Sequence, residues 1–179
     1  MTRENKLIKL AKQGNPSALD ELIRLYYPRI YKYCCFHTKT IEQAEDATQE
    51  TFYKAVKFLP SYKNVGTFQA FLYKIALNVC IDYGRAKHQS ELSINEAGGP
   101  DLAFYDSNFE NIESNVDFAR LLETLTPKQR ELVILRFGQN LTLKEVAAVT
   151  DSNLRTCQSN LRKALKQIEK NMERRDGHE

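Results

Sequence analysis

Between Gln89 and about Asn115 the chain loses its periodicity, and that interruption constrains its fold more than any other feature. The stretch holds Gly98-Gly99-Pro100 and scattered acids, and from Gln89 to Asp117 there is no Lys or Arg. Glycine and proline punctuate local structure, and a polar segment of one charge sign buries too little apolar surface to offset the entropy of ordering it. A flexible acidic linker over 89–115 leaves two pieces of a 179-residue chain, 1–88 and 116–179. Each must build a small core of its own.

Both pieces read as helical, and no stretch alternates as a half-buried strand does. Leu7, Leu10 and Ala11 mark a short first helix. Asn15-Pro16 places an N-cap before a proline at the first helical position, opening a helix through Leu19, Leu22, Ile23 and Tyr26. Pro28 predicts a kink or interruption before Ile30, Tyr31 and Cys34. Thr40-Ile41-Glu42-Gln43 has the form of a capping box, starting a helix that runs to about Phe58. Its inward stripe is Ala44, Ala47, Thr51, Ala55 and Phe58; Asp46, Gln49, Glu50 and Tyr53 share the opposite face. Residues 61–66 read as a loop. Thr67 then caps a helix that buries Phe68, Phe71, Leu72, Ile75, Ala76 and Val79 and displays Lys74, Asn78, Asp82 and Arg85.

In the second piece Phe118, Leu121, Leu122 and Leu125 form one helical stripe. Thr126-Pro127-Lys128-Gln129 opens a helix that ends near Gly138, and Thr142-Leu143-Lys144-Glu145 opens a short one holding Val146, Ala147 and Val149. After a turn at Asp151-Ser152-Asn153 comes a last helix with Leu154, Cys157, Leu161, Ala164, Leu165 and Ile168 facing inward. A short helix, a polar turn and a longer basic helix make the helix-turn-helix pattern. The outward face of the second helix offers Arg155, Thr156, Gln158, Ser159, Arg162, Lys163 and Lys166, residue types that bond phosphates and base edges in a major groove.

Composition narrows the function classes. A net charge of +3 is too small to indicate a nucleic-acid binder by itself, but the acidic middle and the basic run from Arg155 to Arg175 are distinct. Four cysteines, with Cys34 and Cys35 adjacent, lack the spaced pairs of a zinc site even with His37 nearby; they read as buried reduced thiols. No phosphate-binding loop, metalloprotease helix or nucleophile elbow is present, so the chain reads as non-enzymatic, without cofactor, metal or small-molecule substrate. No apolar run approaches the ~20 residues needed to span a bilayer, and the amino-terminal segment is amphipathic rather than a secretory signal; the expected location is the cytoplasm.

Two segments of the first piece, Ala44-Glu45-Asp46-Ala47-Thr48-Gln49-Glu50-Thr51-Phe52 and Phe71-Leu72-Tyr73-Lys74-Ile75-Ala76-Leu77-Asn78, are followed by Asp82 and Arg85. Together they resemble region two of the sigma-70 family, closest to its extracytoplasmic-function group. Leu122 to Leu165, with Leu125-Thr126-Pro127, Arg130-Glu131 and Glu145-Val146-Ala147, resembles region four. The order is the family's, and region three is absent as in that group. The resemblance implies an all-α protein of two small domains, a transcription-initiation subunit that binds core RNA polymerase, directs it to particular promoters and helps to melt them.

By the same resemblance Asp46, Gln49, Glu50 and Phe52 would meet the clamp helices of the largest polymerase subunit. Tyr62, Lys63 and Asn64 of the loop, with Lys74, Asn78 and Arg85, would hold the melted minus-ten element; the last helix would read duplex DNA at minus-thirty-five. An anti-sigma factor would be a further partner, able to hold the protein at the membrane. The last helix departs from the family at Thr156-Cys157-Gln158-Ser159-Asn160-Leu161, where T-V-K-S-R-L is common, so two usual cations are missing. Phe71 stands where tryptophan is frequent. Two other readings compete: a conventional helix-turn-helix regulator with an amino-terminal sensing or dimerising domain, and a helical scaffold that touches no nucleic acid. The first gives the Glu45 to Phe52 face no role, and the second predicts no salt-dependent DNA binding.

Overall fold

The computed structural model describes residues 2–63, 66–90 and 112–176, the side chains of 85–90, 112–117 and 174–176 excepted. Among the described residues there is helix and no strand. Four helices form the first domain: α1 (Arg3–Lys12), α2 (Pro16–Cys35), α3 (Ile41–Phe58) and α4 (Phe68–Ser90), with a 3-10 turn at Leu59–Ser61. Four more form the second: α5 (Ile112–Glu123), α6 (Pro127–Val133), α7 (Leu143–Val149) and α8 (Leu154–Asp176), with a π-helical turn at Ile134–Gly138 after α6. Helix α4 extends past residue 88 and α5 begins before 116, so regular structure reaches into both ends of the expected linker. Residues 91–111, with most of that segment, lie outside the described residues. No described helix is long and apolar enough to cross a membrane.

Local chemistry accounts for most of the helix starts. Asn15 accepts from the Ala18 amide ahead of Pro16. Thr126 with Gln129, and Thr142 with Glu145, form complete capping boxes in which each side chain satisfies an otherwise unpaired amide of the first turn. At α3 the box is half made: Thr40 accepts from Gln43 N–H, but the Gln43 side chain turns to the Lys39 amide instead.

Three expectations are corrected. Helix α2 runs through Pro28 without interruption. Pro28 is exposed, so the Arg24 carbonyl left without an N–H partner is on the solvent side, while buried Tyr26, Ile30 and Tyr33 hold the helix to the core. In α3 the inward stripe ends differently: Phe52 is buried and Phe58 is 47% exposed. The 3-10 turn after Phe58 tightens the rotation, and Leu59 fills the inward place. In α8 Cys157, Leu161 and Ala164 are buried, but Leu154 and Leu165 are 36% and 43% exposed because this helix packs on α6 and α7 along one narrow edge.

Helices α1 to α4 pack around Ile8, Leu22, Ile30, Leu72, Ala76 and Val79, and the second domain centres on Leu132, Ile134, Leu135, Leu141 and Val146. Cys34, Cys35, Cys80 and Cys157 are all buried, and none is in a disulfide. The two cores meet. Helix α4 packs against α7, and Phe36 sets its ring edge-on to Phe118 of α5 at a centroid distance of 5.6 Å. Gly138 leaves room for that pair: a Cβ there would stand 3.3 Å from the Phe118 ring.

Because Pro28 costs α2 a hydrogen bond at an exposed position, Pro28→Ala should stabilise the protein by about 1–2 kcal/mol after the loss of proline's restraint on the unfolded chain. Urea unfolding measures this; a lower midpoint in the variant would mean that the proline ring packs in a way its exposure denies.

Candidate functional site

Three outward faces and one junction carry the chemistry. On α3, Asp46, Gln49 and Tyr53 are exposed, Tyr53 at 66%, and Glu50 is half-buried. The spacing of three, four and seven residues stacks them on one side of the helix. Lys54 lies 3.4 Å from Glu50 and 3.9 Å from Asp82, so it steadies this face against α4. Burial, followed by the charges of Asp46 and Glu50, raises the Tyr83 phenol above its ordinary range. Phe52 does not belong to the exposed face: it stacks on Tyr27 at 5.9 Å, inside the domain.

The second face is on α4. Lys74, Asn78 and Asp82 are exposed along one side, as the helical spacing predicts. Tyr62 is buried, packed on Phe68 and Phe71 at 5.5 and 4.8 Å, and its carbonyl accepts from Lys12 Nζ at 2.5 Å. Its ring is spent on the core, whereas Lys63 beside it is exposed. Asn64 lies outside the described residues, as does the side chain of Arg85.

The third face is on α8. Arg155, Gln158, Ser159, Arg162, Lys163 and Lys166 are exposed and Thr156 is half-buried, its amide capped by the Asn153 carboxamide oxygen at 2.7 Å. The turn before it is built as a helix-turn-helix turn should be: Asp151 takes a left-handed backbone (φ 48°), and the Ser152 amide reaches back to the Ala147 carbonyl.

The junction between domains is polar, buried around Tyr73 and Gln139 and exposed at Thr67, Lys74 and Asp151, and sequence reasoning missed it. The Tyr33 hydroxyl donates to Glu131 Oε1 at 2.7 Å, and His37 Nε2 stands 3.2 Å from Glu131 Oε2, close but without the alignment of a hydrogen bond. The Tyr73 hydroxyl donates to Gln139 Oε1 at 2.8 Å. Thr67 donates to Glu145 Oε1 at 2.5 Å, and Lys74 Nζ pairs with Asp151 Oδ1 at 2.6 Å. Burial first, and then the Glu131 carboxylate, hold the Tyr33 phenol far above the ordinary tyrosine range, so it stays a donor. No spacing pattern announces these partners, because the pairs are separated by 66 to 98 residues.

The amino-terminal and carboxy-terminal halves match two family descriptions: Sigma-70 region 2 over residues 22–89, and Sigma-70, region 4 over residues 115–168. The chain is 30% identical to RNA polymerase sigma factor YlaC of Bacillus subtilis over 87% of this chain and 92% of that protein. It is 31% identical to the ECF RNA polymerase sigma factor SigD of Mycobacterium tuberculosis over 84% of this chain and 74% of that one. Among solved structures its fold is like that of the sigma factor RpoE in complex with the anti-sigma factor NepR from Bartonella quintana. The TM-score is 0.67 at 22% identity, over 86% of this chain and 96% of that chain.

Glu145 supplies a pH signature. Partial burial alone would raise its carboxyl, but the Thr67 hydroxyl and the Thr142 amide and hydroxyl bond the ionised form and hold it below the usual range. A depressed folded value adds stability above the unfolded value, ordinarily about 4.3, and that stability is lost as pH falls through the folded one. Glu145→Gln should therefore lie below wild type in urea stability at pH 7, with the gap closing toward pH 3. A gap that stays constant over that range would refute the assignment.

Proposed function

We propose how this chain works from one premise: it belongs to the sigma-70 family of RNA polymerase sigma factors, within the extracytoplasmic-function group. It is a transcription-initiation subunit, which binds core RNA polymerase, directs it to particular promoters and helps to melt them. It performs no covalent chemistry of its own, and its effect is to position polymerase on DNA.

Its two working units are 1–88 and 116–179, joined through 89–115. The observation that carries the residue assignment is the α3 face, on which Asp46, Gln49 and Tyr53 are exposed in one row that the core does not need. Charged and amide groups there orient polymerase, and the exposed Tyr53 ring is an aromatic anchor of the kind that dominates interface energetics. Phe52 acts from beneath, by fixing α3 against Tyr27. Lys63 and Asn64, with Lys74, Asn78 and Arg85, hold the melted minus-ten strand through phosphates and base edges; Tyr62 shapes the loop rather than stacking on a base.

The α8 face reads duplex DNA at minus-thirty-five. Arg155, Arg162, Lys163 and Lys166 hold phosphates, while Thr156, Gln158 and Ser159 face base edges. With Gln158 and Asn160 where cations are frequent, this helix holds duplex DNA weakly without polymerase. An anti-sigma factor, the partner class seen with the Bartonella protein, restrains the chain in the cytoplasm, and a membrane-tethered one would hold it at the membrane.

Asp46→Ala with Gln49→Ala should leave unfolding stability within about 0.5 kcal/mol of wild type, as surface changes usually do. The pair should weaken core polymerase binding roughly tenfold, or about 1.4 kcal/mol. Fluorescence titration with core enzyme measures it. Unchanged affinity in the double variant would remove α3 from the polymerase interface.

A further inference from the structure

A cleft of about 520 Å³ opens between α2, the start of α4 and the turn that follows the π-helical segment. Arg29 and Lys32 of α2, Gln69 of α4, and Gln139 and Asn140 of the turn line it. None of these residues belongs to the polymerase or DNA faces. The size falls within the ~300–1,000 Å³ of small-molecule sites.

Hydrogen bonding decides what kind of ligand the cleft can hold. The Gln69 oxygen accepts from Arg29 Nη1 at 3.3 Å, and the Gln139 oxygen accepts from the Tyr73 hydroxyl at 2.8 Å. Each carboxamide has its oxygen engaged, so what it offers a ligand is the NH2 donor. Gln139 Nε2 has no hydrogen-bond partner, although the residue is only 6% exposed. A buried donor left unpaired is uncommon and destabilising, and an acceptor on a ligand would satisfy it.

Charge points the same way. Arg29 and Lys32 lie one helical turn apart on α2, and both are donors that can accept nothing. The Arg29 charge reaches the Tyr73–Gln139 pair: burial raises the Tyr73 phenol, and the guanidinium acts to lower it. Among the described residues no carboxylate lines the cleft. Nor do the carbonyls that end the π-helical turn repel an anion, because Ile134 and Leu135 accept from the Gln139 and Leu141 amides at 2.9 and 3.1 Å.

We propose that this cleft binds a small phosphorylated ligand, one with two linked phosphates and the size of a nucleoside diphosphate. The Arg29 fork suits two phosphate oxygens at once, Lys32 supplies a point charge, and Gln139 Nε2 is a third donor. A lone carboxylate would leave part of that donor set unused, and a single phosphate would leave most of the volume empty. Because the lining comes from both domains, the ligand binds them only when packed together and stabilises that packing by mass action. The proposal goes beyond the initiation reading and uses none of its residues.

The test is calorimetric titration of the full chain with inorganic pyrophosphate and with ADP at one ionic strength. Arg29→Gln with Lys32→Gln removes both charges without touching the core. Gln139→Glu keeps an oxygen for the Tyr73 hydroxyl and replaces the donor by a carboxylate. Wild type should bind each probe one-to-one, and both variants should bind ADP at least about tenfold more weakly. ADP should also raise the urea midpoint of wild type more than that of the double variant. If Gln139→Glu does not fold, the double variant decides.

Equal ADP affinity in wild type and the double variant would overturn the proposal, as would a wild type that binds neither probe. Pyrophosphate bound and ADP refused would overturn the nucleotide size. Should wild type bind neither probe, the double variant shows what the cations do instead. Lower stability would make Arg29 and Lys32 partners of the turn alone, and weaker binding of a single-stranded oligonucleotide would make the cleft part of a DNA surface.

Discussion

Helix α4 is apolar around more of its circumference than a helix at the edge of a small bundle can leave in water. Phe68, Leu72, Ile75, Ala76 and Val79 face α1 to α3, and Tyr73 and Cys80 are buried too. The second domain completes that burial, and the rest of the arrangement depends on it. Once α7 covers α4, the Tyr73 hydroxyl must find a partner, because an unpaired buried hydroxyl costs about 1–3 kcal/mol; Gln139 provides it. The same requirement places Tyr33 on Glu131. These bonds add modest net stability but are specific, since a shifted domain would leave the hydroxyls without partners.

That arrangement has a geometric consequence for the reading of two promoter elements proposed above. Elements centred about 25 base pairs apart on duplex DNA are separated by ~85 Å at 3.4 Å per step. A compact chain of this size is only ~40 Å across. The closed form therefore cannot touch both elements at once. Residues 91–111, fully extended, could reach about 70 Å, so the chain has the length to let the domains separate. Closure and simultaneous engagement of both elements are alternatives, and polymerase can favour one over the other only through differential affinity for the two states.

The parts of this structure that could be read from the sequence were local ones. Caps at Asn15, Thr126 and Thr142 were legible because a helix start needs a side-chain acceptor within three residues. The α4 and α8 outer faces were legible because charge and period coincide there. The burial of Phe52 and Tyr62 was not legible, because an aromatic in a functional motif can stack inward as readily as outward, and only the neighbours, Tyr27 in one case and Phe68 with Phe71 in the other, decide. Pro28 was read by its local rule, which burial on both sides of it overrode. The junction was illegible altogether. Tyr33, His37, Glu131 and Gln139 each look ordinary in sequence, and nothing short of the packed fold brings residues 98 positions apart within 2.7 Å.

A distance measurement tests the closed-to-open account most directly. Donor and acceptor dyes on cysteines introduced at exposed Lys57 of α3 and Lys144 of α7, with the four native thiols buried, would report the separation of the domains. In single-molecule energy transfer the free protein should show one population of high efficiency. Saturating core polymerase with promoter DNA should replace it by a population of low efficiency. An efficiency that is already low in the free protein, or that stays high in the transcribing complex, would contradict the account.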